Sequence, residues 1–493
     1  MTELATRLAI SGRDFHCPEG AGFRSVAIMK DLEFDVLILG GGSAGYAAAR
    51  TVAAGGLRTA VVEGGEEVGG LCILRGCMPT KALLQAADVM HLVHRAPTWG
   101  IHPHSVTFDF QQVMARKGRL ISDFASYRSQ QLQDGRFTFL RGSARFVDAN
   151  TLELSGTPSR RITARSFVIA TGSKMAEPPF LALKRAGYIT SDEALQLTQL
   201  PKSMVVLGGG AVAVEFAQFF QRFGTRVTLI QRSEQLLKDF DPDAHETLST
   251  VLRREGMQVH TGTSLVDAGV TATGKYVEFE QGGVRHRVEA DEIFNALGRS
   301  PNTAELNLEA AGVRTQRGRI VTDDRMQTSA AHIYAAGDCS GPYEVVHLAV
   351  IQGEVAGRQI LQPGSAHRMD YRLLTVVVFT DPQIACVGLT EREARSRGVG
   401  VRVASHPFND HGKSMIMEAL DGFVKLIADP RTGEILGGAC VGPMGGELIH
   451  EIVVAMDRRM TVHALAAVPH YHPTLAEIWT YPAEELASQI PLP

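Results

Sequence analysis

At 493 residues and 44% apolar content, the chain is long enough for about two to four domains with ordinary cores. A formal net charge of -4 supplies no broad basic field, which argues against nucleic acid and against a polybasic membrane arm. No apolar run reaches the length of a membrane span, and residues 1–28, with Arg7, Arg13, Asp14 and Glu19, lack a signal-peptide core; a cytoplasmic, reducing setting is expected.

Residues 1–33 show no amphipathic period and read as a loose extension, with Met29-Lys30-Asp31 resembling an ordinary protein start. Phe34 to Leu39 is a short apolar run suited to a buried strand. It leads into Gly40-Gly41-Gly42-Ser43-Ala44-Gly45 and a helix of small residues through Ala54. Glycines at this spacing permit a tight turn, the approach of a pyrophosphate and close helix packing, while the helix N-terminus offers free N–H groups to an anion. Arg58 to Val62 reads as a second strand, ending at Glu63, where a carboxylate can accept hydrogen bonds from a ribose. Strand, glycine turn, helix, strand and terminal acid in that order point to a dinucleotide.

Next comes Gly69-Gly70-Leu71-Cys72-Ile73-Leu74-Arg75-Gly76-Cys77-Met78-Pro79-Thr80-Lys81, with two cysteines five residues apart. Five residues of regular helix rise roughly 7.5 Å, whereas a disulfide wants its Cα atoms within about 7 Å. A bond between Cys72 and Cys77 therefore needs an irregular first turn, for which Gly76 and Pro79 are suited. Such a bond at a helix entrance should be easily reduced, and the helix N-terminus favours thiolate. From the pair alone, redox chemistry and two buried small hydrophobes stand level.

The nucleotide pattern recurs. Ser203 to Leu207 is apolar, Gly208-Gly209-Gly210-Ala211-Val212-Ala213 opens a helix, and Arg226 to Ile230 follows as a strand. Here the acid position is Gln231, followed by Arg232. A neutral amide beside a guanidinium tolerates a 2′-phosphate that a carboxylate would repel, which favours NADPH, although Arg232 could equally solvate a turn.

Between the copies, Phe167 to Ala170 reads as a strand end before Thr171-Gly172-Ser173, and Thr190 as a helix cap. Ile333 to Asp338 is a further strand ending in glycine and acid. From about Tyr371 the texture changes to alternating strands at Thr375 to Phe379, Ala385 to Leu389, Gly422 to Ala428 and Ile435 to Val441, then a helix from Gly446 to Met460. Helices segregated from an antiparallel sheet suggest a separate α+β domain. It ends in His470-Tyr471-His472-Pro473-Thr474-Leu475-Ala476-Glu477, where a carboxylate can hold a histidine in one tautomer for acid/base work. Alone, this could also be a surface histidine. Metal binding by His470 and His472 lacks further ligands at suitable spacing. Cys17, Cys339, Cys386 and Cys440 are scattered and read as inert thiols.

Taken together, these residues resemble the flavin-dependent pyridine nucleotide-disulfide oxidoreductases, and most closely their dihydrolipoamide dehydrogenase branch. The resemblance runs from Phe34 to the C-terminal tail. It implies an α/β architecture of two Rossmann-like dinucleotide-binding domains, for FAD and NAD(P), plus a C-terminal α+β dimerisation domain. Residues 34–173 and 295–368 would form the FAD-binding part, 174–294 the NAD(P)-binding domain and 369–493 the dimerisation domain. FAD would lie on Gly40, Gly42, Ser43, Ala44, Gly45, Glu63, Gly142, Thr171 and Gly172, with Asp338 at the ribityl chain and Lys81 near the reactive flavin nitrogen. Ala349, on a helix beginning near His347, would contact the flavin's pyrimidine edge. The nicotinamide nucleotide would lie on Gly208, Gly210, Ala213, Gln231, Arg232 and Gly298, with Glu215 pairing Lys81.

The resemblance also implies a homodimer whose active site is shared. Cys77 would exchange electrons with the flavin, Cys72 would meet the substrate, and His472, oriented by Glu477, would move the proton. The substrate would be a small or lipoyl-borne disulfide or dithiol. The chain departs from the commoner pattern at Leu71, at Met78-Pro79-Thr80 and at Gln231. Phe379-Thr380-Asp381-Pro382-Gln383 and Gln231-Arg232-Ser233 resemble mercuric reductase, but the chain ends Gln489-Ile490-Pro491-Leu492-Pro493 without vicinal cysteines, and it has His472. A mercuric-reductase-like or other NADPH-dependent disulfide reductase is thus the alternative. A docking subunit of a lipoyl multienzyme assembly and a flavin-only diaphorase are further ones.

Overall fold

A computed structural model describes residues 32–156, 159–178 and 180–491, so the leader up to residue 31, including Cys17, lies outside the described residues. The first strand, Leu32–Leu39, starts two residues before the apolar run, because Leu32 and Glu33 still pair with Ile162 and Thr163. Its four C-terminal residues are buried. Thr59–Glu63 flanks it on one side and Arg160–Ile169 on the other, both parallel. Thr138–Arg141 adds a parallel edge beyond Thr59–Glu63. Ile333–Ala335, which follows the second nucleotide fold in sequence, completes the parallel set beside Arg160–Ile169. Thr151–Leu154 and Ala144–Phe146 extend the same sheet antiparallel.

The helix Ser43–Ala54 crosses this sheet and packs along Val346–Leu361. Ala44, Ala47 and Ala48 keep the contact close. A Cβ added at Gly353 would collide with the carbonyl oxygen of Ala44 and stand 3.2 Å from the nitrogen of Ala48.

The second fold orders its parallel strands Gln258–His260, Arg226–Ile230, Ser203–Leu207 and Glu292–Asn295. Ser203–Leu207 is buried throughout, which is why it reads as a continuous apolar run. An antiparallel trio, Thr263–Val270, Lys275–Gln281 and Val284–Ala290, covers this fold and was not anticipated. Its charged residues face solvent in alternation, and the weak apolar signal hides it.

The C-terminal unit is a five-stranded antiparallel sheet ordered Thr375–Val378, Gln383–Gly388, Ile435–Gly442, Phe423–Ala428 and Arg402–Pro407. The last of these is an edge strand that the sequence pattern did not announce. Gly445–Asp457 packs on the sheet and stops three residues before the expected Met460, where Arg459 adopts a left-handed φ of 50°.

Glycine replaced by alanine inside a helix ordinarily stabilises it. Gly353→Ala should do the opposite, costing about 1–3 kcal/mol through overpacking against Ala44. A thermal unfolding temperature equal to or above that of the parent chain would show that the two helices do not depend on this contact.

Candidate active site

Cys72 lies on a short helix, Gly70–Leu74, and Cys77 opens a long one, Cys77–Arg95. The irregularity expected within one first turn is a break between two helices. It falls at Gly76, whose φ of -122° and ψ of -114° reverse the chain over Cys72. A Cβ there would stand 3.0 Å from the carbonyl oxygen of Leu71 and 3.2 Å from the Cα of Cys72. Pro79 occupies the first turn, where its missing N–H costs nothing.

Both cysteines are free thiols in this structure. The interaction of the two thiols, with the nearby Lys81 ammonium, lowers the Cys77 pKa to about 7 against the cost of burial. The same interaction and burial push Cys72 up. One proton is thus retained at Cys72, and Cys77 is the thiolate of the pair. Burial raises Cys339 to about 11 and Cys386 to about 12, so both stay protonated.

Lys81 stands one turn beyond Cys77 and donates from Nζ to Glu215 Oε2 at 2.8 Å and Oε1 at 3.0 Å. The Glu215 side chain is 3% exposed and also accepts the Phe379 N–H at 2.9 Å. The ammonium lies 4.6 Å over the Phe379 ring. This carboxylate on Ala211–Arg222 therefore ties together the cysteine helix, the second fold and the start of the C-terminal unit.

His472 Nδ1 faces Glu477 Oε2 at 2.9 Å and Oε1 at 3.1 Å, and its side chain is 76% exposed. None of its hydrogen bonds reaches Cys72 or Cys77 of the same chain. Sequence reasoning missed His411. It is fully buried, its Nε2 lies 3.4 Å from Glu477 Oε1, and its Nδ1 meets the Ser414 hydroxyl at 2.8 Å. Burial holds His411 towards its neutral form. His470 turns to Glu451 at 2.6 Å, away from any joint site with His472.

The first glycine turn borders a cavity of about 1250 Å³ lined by Gly40, Gly42, Glu63, Gly142, Thr171 and Gly172 among others. Ser143 and Asn302 line it too, as does Arg299, from the turn expected to serve the nicotinamide nucleotide. Gly40 has φ +105°, and a Cβ there would strike the Ala170 carbonyl. Ser43–Ala54 has no side-chain cap, which leaves its first N–H groups facing outward. Glu63 accepts the N–H groups of Gly41 at 2.9 Å and Gly65 at 2.8 Å. Thr171 Oγ1 is buried without a hydrogen-bond partner among the described residues. A glycine cradle, open helix N–H groups, an acid at the second strand and an unpartnered hydroxyl fit a dinucleotide. Asp338 accepts from the Ser173 hydroxyl at 2.6 Å, and Arg299 donates to the same hydroxyl at 2.8 Å. Ser43, Ala44, Gly45, Lys81, Asp338 and Ala349 stand outside the cavity lining; Ala44 and Ala349 are buried together with Ala170 and Ala336.

In the second turn Gly208 has φ +122°, and a Cβ would stand 2.5 Å from the Ala296 oxygen. Ala213 is buried, and Ala211–Arg222 also lacks a side-chain cap. Nothing lies within 4 Å of a Cβ added at Gly210 or Gly298. Gln231 reaches back to the Gln235 carbonyl at 3.5 Å and accepts the Arg232 N–H at 3.1 Å, while Arg232 is exposed.

A family profile described as "Pyridine nucleotide-disulphide oxidoreductase" matches residues 34–353, and its "dimerisation domain" matches 374–483. Mercuric reductase of Staphylococcus aureus is 34% identical over 458 residues, 92% of this chain and 82% of that protein. Dihydrolipoyl dehydrogenase of Chlamydia muridarum is 33% identical over 449 residues, 90% of this chain and 95% of that protein. Among solved structures, LpdA of Mycobacterium tuberculosis superposes with a TM-score of 0.83 at 27% identity, covering 92% of this chain and 99% of that one. The HOCl-induced flavoprotein disulfide reductase RclA of Escherichia coli gives 0.81 at 26%, covering 91% and 99%. The chain belongs to the pyridine nucleotide-disulfide oxidoreductases. It is a flavoprotein disulfide oxidoreductase that uses FAD and NAD(P)H. No helix among the described residues is long and apolar enough to cross a membrane.

In the reduced protein, thiolate absorbance should rise with an apparent pKa of about 7, assigned to Cys77. Lys81→Met removes the cation, so this value should climb towards the ordinary thiol value of about 8.5. An unchanged titration in the variant would separate Lys81 from the cysteine pair.

Proposed function

We propose that the chain passes electrons from NADPH, in preference to NADH, to a small or lipoyl-borne disulfide through Cys72 and Cys77. The overall reaction is NADPH + H⁺ + RSSR → NADP⁺ + 2 RSH, and it runs backwards with a dithiol and NADP⁺. The observation that carries the reading is the placing of two free thiols on either side of the Gly76 break, with Lys81 one turn beyond Cys77 and held by Glu215.

Gly40, Gly42, Ser43, Ala44, Gly45, Glu63, Lys81, Gly142, Thr171, Gly172, Asp338 and Ala349 are the residues that would hold FAD. Gly208, Gly210, Ala213, Glu215, Gln231, Arg232 and Gly298 would serve the nicotinamide nucleotide. When bound, FAD supplies a relay that turns a hydride equivalent into an electron pair for the Cys72–Cys77 disulfide.

With the pair reduced, Cys72 surrenders its proton to a base, and its Sγ attacks one substrate sulfur. The substrate S–S bond breaks, a mixed disulfide forms, and the first thiolate leaves. Cys77 Sγ then attacks Cys72 Sγ, which restores the Cys72–Cys77 bond and releases the second thiolate. Each leaving thiolate needs a proton. Because Cys72 holds its proton tightly and His472 is solvent-exposed in its own chain, the base is assigned to His472 of the partner subunit, with Glu477 fixing its tautomer. The match to a dimerisation domain supports this two-chain arrangement. Residues 34–173 with 295–368, 174–294 and 369–493 are the working units of this reading.

His472→Gln should lower disulfide turnover by about 100- to 10,000-fold, while NADPH still reduces the cysteine pair at the parental rate in stopped-flow. Equal loss in both half-reactions would remove His472 from proton transfer. Gln231→Glu should shift the steady-state preference from NADPH towards NADH by discouraging the 2′-phosphate. An unchanged ratio would rule out that role.

A further inference from the structure

Arg128 lies on the helix Phe110–Leu132, which packs against the short helix that carries Cys72. Its guanidinium carbon stands 4.2 Å from the centre of the Tyr46 ring. Its Nε and Nη1 are buried and have no hydrogen-bond partner among the described residues. A guanidinium always carries its charge, and two buried N–H donors left unmade cost far more than two exposed ones. Stacking on Tyr46 offsets part of that cost, but a ring face accepts no in-plane N–H bond. The usual partner of such a fork is a carboxylate or another planar anion.

Asp134 is taken by Arg136, which also donates to the Tyr46 hydroxyl at 3.0 Å, and Glu354 is paired with Arg50. Burial works against the Arg128 charge, and its surroundings include Tyr46, Cys72, Arg50 and Tyr127. Neither Arg128 nor Tyr46 lines the dinucleotide cavity. The donors lie on the helix that packs against the one carrying Cys72, which places them with that thiol.

We infer that Arg128, clamped on Tyr46, is an anion-recognition residue beside Cys72, and that the preferred disulfide carries a carboxylate or comparable anion within a short side chain of its sulfurs. This rests on Cys72 being the thiol that meets the substrate. It deepens the substrate class: an acidic disulfide is favoured over a neutral amide of the same skeleton. Arg128 acts on binding, with no part in proton or electron transfer.

The test uses the FAD-loaded protein and two probe pairs that differ only in charge. Oxidised lipoate and lipoamide probe turnover. Iodoacetate and iodoacetamide probe alkylation of the reduced protein, read at Cys72 by peptide mapping. For the parent chain, KM should be lower for lipoate, and the iodoacetate-to-iodoacetamide rate ratio at Cys72 should exceed that of a free thiol. In Arg128→Gln, KM for lipoate should rise about ten- to hundred-fold, as expected for loss of a charge-assisted bond. The KM for lipoamide and both kcat values should stay near parental, and the alkylation ratio should fall to that of a free thiol. Arg128→Lys, which keeps the charge without the fork, should recover part of the preference.

Equal effects on both members of each pair would overturn the inference, as would loss of bound FAD in Arg128→Gln, which would assign the arginine to the cofactor. If the parent chain reduces neither disulfide, the disulfide-reductase reading fails. The alkylation ratio then still decides whether an anion site exists at Cys72, because it needs only the thiol.

Discussion

The arrangement depends on a single buried carboxylate. Glu215 is almost wholly removed from water, and its charge is tolerable only because Lys81 and the Phe379 N–H meet it directly. Those partners come from the helix that begins at Cys77 and from the residue that follows the first strand of the C-terminal sheet. Satisfying one carboxylate thus fixes the cysteine helix against the second nucleotide fold and both against the C-terminal unit. Removing Lys81 strands the buried carboxylate, at a cost of about 3–5 kcal/mol. The same ammonium favours thiolate at Cys77. A structural tie and an electrostatic adjustment are therefore one interaction.

The division of labour between the cysteines follows from local geometry. Gly76 folds the chain back so that the two thiols interact, and that interaction moves the two pKa values in opposite directions. The thiol that keeps its proton needs an outside base, whereas its neighbour is already a nucleophile at neutral pH. His472, oriented by Glu477 and exposed in its own chain, suits a base presented to a second copy. His411 adds a buried neutral imidazole behind Glu477, which leaves that carboxylate free to face His472.

Much of the architecture was legible in the sequence because it is local. The glycine turns at Gly40 and Gly208 need positive φ and a close carbonyl, and only glycine meets both demands. Buried parallel strands such as Ser203–Leu207 show as unbroken apolar runs. The pairing of His472 with Glu477 spans five residues, so spacing allowed it, and the resemblance to a family selected it over a surface histidine. By contrast, Thr263–Val270 and its partners are polar on one face, and Arg402–Pro407 is an edge strand with little apolar pattern. His411 and Arg128 had no linear signal. Each matters through neighbours brought from distant segments, Glu477 for one and Tyr46 with Cys72 for the other. The resemblance to a family supplied the link from Lys81 to Glu215; their separation in the chain is too long for any local rule.

The most direct test of the central claim is an anaerobic titration of the oxidised, FAD-loaded protein with NADPH, with flavin absorbance recorded and thiols mapped by alkylation at each step. The account predicts that two electrons per chain convert the Cys72–Cys77 disulfide to two alkylatable thiols, while the flavin stays oxidised and gains a long-wavelength band from the Cys77 thiolate. Bleaching of the flavin with both cysteines still bonded would contradict it, because electrons would then reach the flavin without passing to the pair.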